Sequence, residues 1–190
     1  MITAVILAGG KSTRTGRNKL LLPLHHQSIL RHAIQSMTSF VDSIVVVSGF
    51  YDQEIRQECQ GIDRVKVVYN PNYEQGMFLS VRQGLTHSEG DVFLLPGDCP
   101  LVHPTTIEAL LQASGELRVP MYANRYGHPL FLSQKMVKLC LQEPLDSNLR
   151  VFRNKHQVET VSVLDEHVLD DIDTLEEYLQ IQGSTLEEVV

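Results

Sequence analysis

Residues 4–23 read Ala4-Val5-Ile6-Leu7-Ala8-Gly9-Gly10-Lys11-Ser12-Thr13-Arg14-Thr15-Gly16-Arg17-Asn18-Lys19-Leu20-Leu21-Leu22-Pro23, an apolar run that breaks into glycines and then into four cations without a carboxylate. A short run rich in β-branched residues, ended by glycine and followed by further apolar segments, is the signature of a buried strand feeding a loop. Three glycines allow close backbone approach and expose N–H groups, while Lys11, Arg14, Arg17 and Lys19 add positive charge. In chemical terms this is a cradle for a triphosphate. Two better-known glycine loops are excluded by spacing: a P-loop needs glycine where Val5 stands, and a dinucleotide fingerprint needs glycine at Thr13 or Arg14.

The same alternation of apolar runs and segments of helical period continues outward. Strands are expected at Ala4–Ala8, Ser43–Ser48, Lys66–Tyr69, Val92–Pro96, Arg118–Met121, Pro129–Leu132 and Val158–Val163. Helices are expected near Ile29–Ser39, Gln53–Cys59, Phe78–Leu85, Thr105–Ala113, Gln134–Leu141, Asn148–Asn154 and Thr174–Gln182. Apolar strands such as Ser43–Ser48 suit a parallel sheet covered on both faces, so the expected fold is a three-layer α/β/α domain, Rossmann-like and mostly parallel. We take residues 1–182 as that domain and 183–190 as a tail. Ligands of such sheets lie beyond the carboxyl ends of the strands, which directs attention to the loops after Ala8, Tyr69 and Pro96.

The chain has 190 residues, 43% hydrophobic and 21% charged, with a net charge of −7. That balance argues against a nucleic-acid binder, and no apolar run is long enough to suggest a membrane span. The average conceals an asymmetry: residues 1–41 carry five basic and no acidic side chains, whereas residues 159–190 carry ten acidic and no Lys or Arg. Cys59, Cys99 and Cys140 are scattered, so neither a disulfide framework nor a zinc site is expected, and a reducing cytoplasm fits. Cys99 has no local histidine to activate it and reads as a small filler.

Asp98 lies in Pro96-Gly97-Asp98-Cys99-Pro100, at the carboxyl end of an apolar strand, and is a candidate Mg²⁺ ligand. Magnesium takes one or two carboxylates together with phosphates and water, so a second acid is expected. Leu169-Asp170-Asp171-Ile172-Asp173-Thr174 supplies it, with Asp173 and Asp171 as alternatives and N-capping as the competing use of both. Gly76 stands before a helix and allows a base or sugar to approach, and Ser80 follows about one turn later with a hydroxyl for a base edge. Met77, Leu79 and Val81 read as packing, Arg82 as facing solvent, and His25-His26 as loop residues. His128, between Gly127 and Pro129, is a candidate for the second substrate.

These segments together resemble the molybdenum cofactor nucleotidyltransferases, and within them the cytidylyltransferase type and the molybdenum-hydroxylase accessory proteins. The resemblance rests on LAGGKSTRTGRNKLLLP (7–23), VVVSGFYDQEI (45–55), NPNYEQGMFLSVRQGL (70–85), PGDCPLV (96–102), GHPLFLS (127–133) and DDIDTLEEY (170–178), in that order. It implies Mg²⁺-dependent transfer of CMP from CTP to the phosphate of molybdopterin, with release of pyrophosphate. By position it implies that Leu7, Ala8, Gly9 and Gly10 hold base and ribose, that Arg14 and Lys19 neutralise the triphosphate, and that Gly76 and Ser80 complete the nucleotide pocket. Asp98 and Asp173 would bind metal, and Arg14, Lys19 and Asp98 would carry catalysis. His128 would face the pterin, and a molybdenum hydroxylase is the implied recipient.

The sequence departs from the cytidylyl pattern in Ala8-Gly9-Gly10, where a second alanine is usual, so GTP stays open as donor. A sugar- or alditol-phosphate acceptor is the alternative within enzymes. A non-catalytic nucleotide-binding chaperone for a molybdenum hydroxylase is the alternative outside them.

Overall fold

A computed structural model describes residues 1–12 and 17–182. In chain order the elements are β1 Ile2–Ala8, β2 Pro23–Leu24, β3 Gln27–Ser28, α1 Ile29–Thr38, β4 Ser43–Ser48, α2 Asp52–Glu58, β5 Val65–Tyr69, α3 Met77–Thr86 and β6 Asp91–Pro96. There follow α4 Pro104–Gln112, β7 Leu117–Tyr122, β8 Arg125–Tyr126, β9 Leu130–Leu132, α5 Gln134–Gln142, α6 Leu149–Asn154, β10 Glu159–Ser162 and α7 Leu175–Gln182. The expected strands and helices are all present. The two-residue strands β2, β3 and β8 are additions, too short to carry a period of two.

The main sheet runs β10-β7-β9-β6-β1-β4-β5, with β8 paired to β7. β1 is central and parallel to both neighbours, with Ala8 opposite Ser48 and Leu7 opposite Pro96. β9 is antiparallel to β6 and β7, which makes the sheet mixed but mostly parallel. Alternate side chains of each strand enter two separate cores. Ala4, Ile6, Ile44, Val46, Phe93 and Leu95 pack with α1, α2, α4 and α7, whereas Val5, Val45, Val47, Val92 and Leu94 pack with α3, α5 and α6. Helices therefore cover both faces, which explains why these strands read as unbroken apolar runs. α3 lies close against the sheet because Gly84 presents no Cβ; one there would stand 2.2 Å from Val5 Cγ1. Arg82, expected in solvent, donates instead to the carbonyls of Cys140 and Glu143 and ties α3 to the end of α5.

The cap residues account for the helix starts. Ser28, Ser133 and Asn148 each accept a backbone N–H from the first turn of α1, α5 and α6, as short polar side chains do at such termini. Among the described residues no helix is long and apolar enough to cross a membrane.

Candidate active site

The loops after β1, β5 and β6 meet at one end of the sheet. The Gly97 N–H donates to the Leu7 carbonyl at 2.9 Å, fixing the loop that carries Asp98 against the end of β1. From the far end of the chain, the Ile172 N–H donates to the Asp98 carbonyl at 3.1 Å and brings the acidic 170–173 segment alongside. Buried Leu20 is the middle residue of a short 3-10 turn over Lys19–Leu21 that Asn18 caps through Oδ1. Lys19 is thereby aimed inward, and the Ser12 hydroxyl accepts its backbone N–H.

Lys19 Nζ lies 2.7 Å from Asp98 Oδ2 and 2.8 Å from Asp173 Oδ1. Burial alone would lower the Lys19 pKa, but the attraction of Asp98 and the hydrogen bonds to Asp173 and Asp98 outweigh it and hold the amine above its ordinary value. The group is a fixed cation at working pH. The competing use of Asp173 is settled by its neighbour: Thr174 Oγ1 accepts the Glu177 N–H, and Glu177 Oε2 accepts the N–H groups of Asp173 and Thr174. That reciprocal arrangement caps α7 and leaves the Asp173 carboxylate to face Lys19. Asp171 is exposed. Partial burial first, and then Asp173 and Asp98, raise its pKa.

A cleft of about 410 Å³ is lined by Leu7, Gly9, Gly10, Ser12, Lys19, Leu20, Tyr73, Met77, Ser80, Pro96, Asp98 and Asp173. Seven of the residues singled out in the sequence thus share one cavity: Leu7, Gly9, Gly10, Lys19, Ser80, Asp98 and Asp173. The side chain of Ala8 belongs to the core, so that residue has only backbone to offer. Gly76 adopts φ +120°, a conformation that other residues rarely take, with open space where a Cβ would be. Arg14 lies outside the described residues.

Two contacts sharpen the nucleotide end. Asn70 is buried at the end of β5 and donates through Nδ2 to Ser80 Oγ at 2.9 Å, which orients that hydroxyl. A Cβ on Gly9 would stand 3.2 Å from the same oxygen. Lys11, by contrast, turns outward to pair with Glu74 and lies 5.9 Å from the ring centroids of Phe50 and Tyr73. Met77, expected as packing, is 65% exposed and forms part of the cleft wall. Asn70, Tyr73 and Met77 were not singled out as ligand-facing; an asparagine closing an apolar strand was the available signal for the first. Cys99 is buried as expected, and burial pushes its thiol far up, out of reach of nucleophilic use.

His128 lines a second cavity of about 220 Å³ that shares Leu7, Met77 and Pro96 with the first. Its backbone N–H donates to Val168 O, while Nδ1 is buried with no hydrogen-bond partner. Burial lowers its pKa; Asp98 opposes that shift and Arg153 adds to it. No group of three or more His, Cys, Asp or Glu side chains gathers at one point among the described residues.

The sequence profile of the MobA-like NTP transferase domain matches residues 4–161. The molybdenum cofactor cytidylyltransferase of Escherichia coli is 25% identical over 181 residues, 94% of either chain. A probable molybdenum cofactor guanylyltransferase of Thermococcus sibiricus is 27% identical over 135 residues, covering 66% of this chain and 65% of its own. Among solved structures, Rv0371c of Mycobacterium tuberculosis superimposes with a TM-score of 0.83 at 27% identity, covering 96% of this chain and 98% of its own.

Proposed function

Because the chain belongs to the MobA-like NTP transferase domain family, and is a nucleotidyltransferase of the molybdenum cofactor cytidylyl- and guanylyltransferase kind, we propose that it transfers CMP from CTP to the phosphate of molybdopterin. In that reaction an oxygen of the acceptor phosphate bonds to the α-phosphorus. The bond from that phosphorus to the bridging oxygen breaks, and the oxygen leaves with pyrophosphate.

The observation that carries the reading is the Lys19 ammonium held between Asp98 and Asp173 in the wall of a cleft that Gly9 and Gly10 also line. Phosphoryl chemistry of this kind asks little covalent work of a protein; it asks for positioning and for charge opposite the transferring group. The N–H groups around Gly9 and Gly10 receive phosphate or ribose oxygens, Gly76 and the Asn70-oriented Ser80 flank the base, and Lys19 and Arg14 neutralise the triphosphate.

Two carboxylates already converge on one cation, so their hard oxygen donors fit Mg²⁺, with phosphates and water as its other ligands. Bound there, the metal supplies further neutralisation of the triphosphate. His128 faces the acceptor. Residues 1–182 act as one domain in the cytoplasm, where the free cysteines Cys59, Cys99 and Cys140 are at home, and a molybdenum hydroxylase receives the product.

GTP is the second reading, favoured by Gly9, where the absent methyl leaves room beside Ser80. The test offers CTP, GTP, ATP and UTP in turn with molybdopterin and Mg²⁺ and measures pyrophosphate. CTP is expected to turn over fastest; preference for GTP selects the second reading, and no product with any nucleotide refutes both.

A further inference from the structure

The cavity beside the nucleotide cleft combines two unlike kinds of lining residue. Leu7, Leu94, Val119, Leu130 and Leu149 give it an apolar lining, and Arg150 and Arg153 of α6 are the charged residues of that lining. These arginines lie three apart on α6 and so project from the same face of the helix.

Their surroundings differ from those of most other arginines in the fold; the exposed Arg125 also lacks a carboxylate or carbonyl partner among the described residues, but it does not line the cavity. Arg31 and Arg56 are paired with Glu58 and Asp52, and Arg64, Arg82 and Arg118 are held by backbone carbonyls. Arg150 and Arg153 have no carboxylate or carbonyl partner among the described residues. Arg153 is steadied instead by the Tyr126 ring, with Cζ 4.8 Å from its centroid, a contact that leaves the guanidinium edge available for hydrogen bonds. The cavity also holds His128, whose lowered pKa keeps the imidazole neutral, so the arginines supply the positive charge there.

A flat heterocycle that lays its ring faces against the aliphatic side chains and ends in a phosphate near the arginines fits this lining. A polyhydroxylated acceptor has hydroxyls all round and would turn some of them toward leucine and valine, where unpaired buried hydroxyls are costly, whereas a heterocycle keeps its polar groups at the ring edge. We infer that Arg150 and Arg153 are the phosphate-binding pair of the acceptor site and select a phosphorylated planar heterocycle over a sugar phosphate. This assignment rests on the nucleotidyl-transfer reading above.

The binding test uses a fluorescent pterin bearing a methyl phosphate and the same pterin without it. The wild-type protein is expected to bind the phosphorylated probe at least tenfold more tightly. Arg150→Gln and Arg153→Gln should each reduce that preference severalfold, the double variant should abolish it, and Arg→Lys at either position should restore part of it. Wild-type indifference to the phosphate, or a preference that survives in the double variant, overturns the assignment.

Turnover with molybdopterin and CTP is measured separately. The variants should raise the KM for the acceptor at least tenfold while leaving kcat and the KM for CTP within about twofold; an equal loss in both KM values also overturns the assignment. Absence of wild-type turnover beside an intact phosphate preference would count against the nucleotidyl-transfer reading and leave the arginine pair standing.

Discussion

Replacing Lys19 with methionine should strengthen metal binding while it weakens turnover. The ammonium lies 2.7 Å and 2.8 Å from two carboxylates, with side-chain exposures of 15% for Lys19, 20% for Asp98 and 42% for Asp173. An exposed ion pair contributes about 0.2–1 kcal/mol; these two are partly enclosed, which places their sum at roughly 1–2 kcal/mol. A divalent cation drawn to Asp98 and Asp173 must first displace the ammonium, so its affinity in the absence of nucleotide is reduced by that amount. Lys19→Met removes the competitor but keeps most of the length of the side chain, and Mn²⁺ should bind about 5–30-fold more tightly. Turnover should fall about 10²–10³-fold, the usual effect of losing a charge aimed at the reacting group. Electron paramagnetic resonance of free Mn²⁺, titrated with wild type and variant without nucleotide, gives the first quantity, and pyrophosphate release gives the second. Unchanged or weaker Mn²⁺ binding in Lys19→Met would refute the reasoning, because the two carboxylates would then not be the site that the ammonium occupies.

Asp98→Ala is expected to preserve the fold, seen by circular dichroism, and to remove Mg²⁺-dependent pyrophosphate release; undiminished turnover would contradict its role. Gly84→Ala sets about 1 kcal/mol of gained helix propensity against a Cβ that would lie 2.2 Å from Val5 Cγ1 and 3.0 Å from Val47 Cγ2. Both valines are fixed in central strands, so the overpacking term of about 1–3 kcal/mol should prevail and lower Tm by several degrees; a Tm at or above that of wild type would contradict this. His128 has a folded pKa below its ordinary 6.5, through burial and Arg153 against the opposing pull of Asp98. The unfolded chain therefore takes up a proton below pH 6.5 that the folded one resists, and stability falls with pH in that window. The difference in Tm between wild type and His128→Asn should narrow from pH 7 to pH 5; parallel curves would show that His128 does not titrate with unfolding.

The sheet was legible because its strands are buried on both faces, so their sequences are short, continuous and β-branched; Ser43–Ser48 was read to the residue. The strands β2, β3 and β8 carry no such signal at two residues each. Within the site, Asp98 was legible from the glycine and prolines around it and Lys19 from a cationic loop without acids. Which acid meets Lys19 was not, since Asp171 and Asp173 offer the same chemistry and only the capping of α7 by Thr174 separates them. Met77 was misread because an apolar side chain at a helix start looks the same whether it packs inward or walls a cavity. Asn70 acts on Ser80 across a strand-to-helix connection, a relation that spacing along the chain does not reveal.

The hydrogen bond from Ile172 to the Asp98 carbonyl has a consequence for the order in which this molecule comes into being. The last strand of the sheet ends at Ser162, yet the carboxylate that completes the Lys19 contact comes 154 residues after that lysine. A growing chain therefore possesses every described strand, the three glycines of the cradle and Asp98 before it possesses Asp173. A chain stopped between those two points has the sheet, the cradle and Asp98, but lacks Asp173 and α7, whose Tyr178 and Leu179 complete one of the two cores.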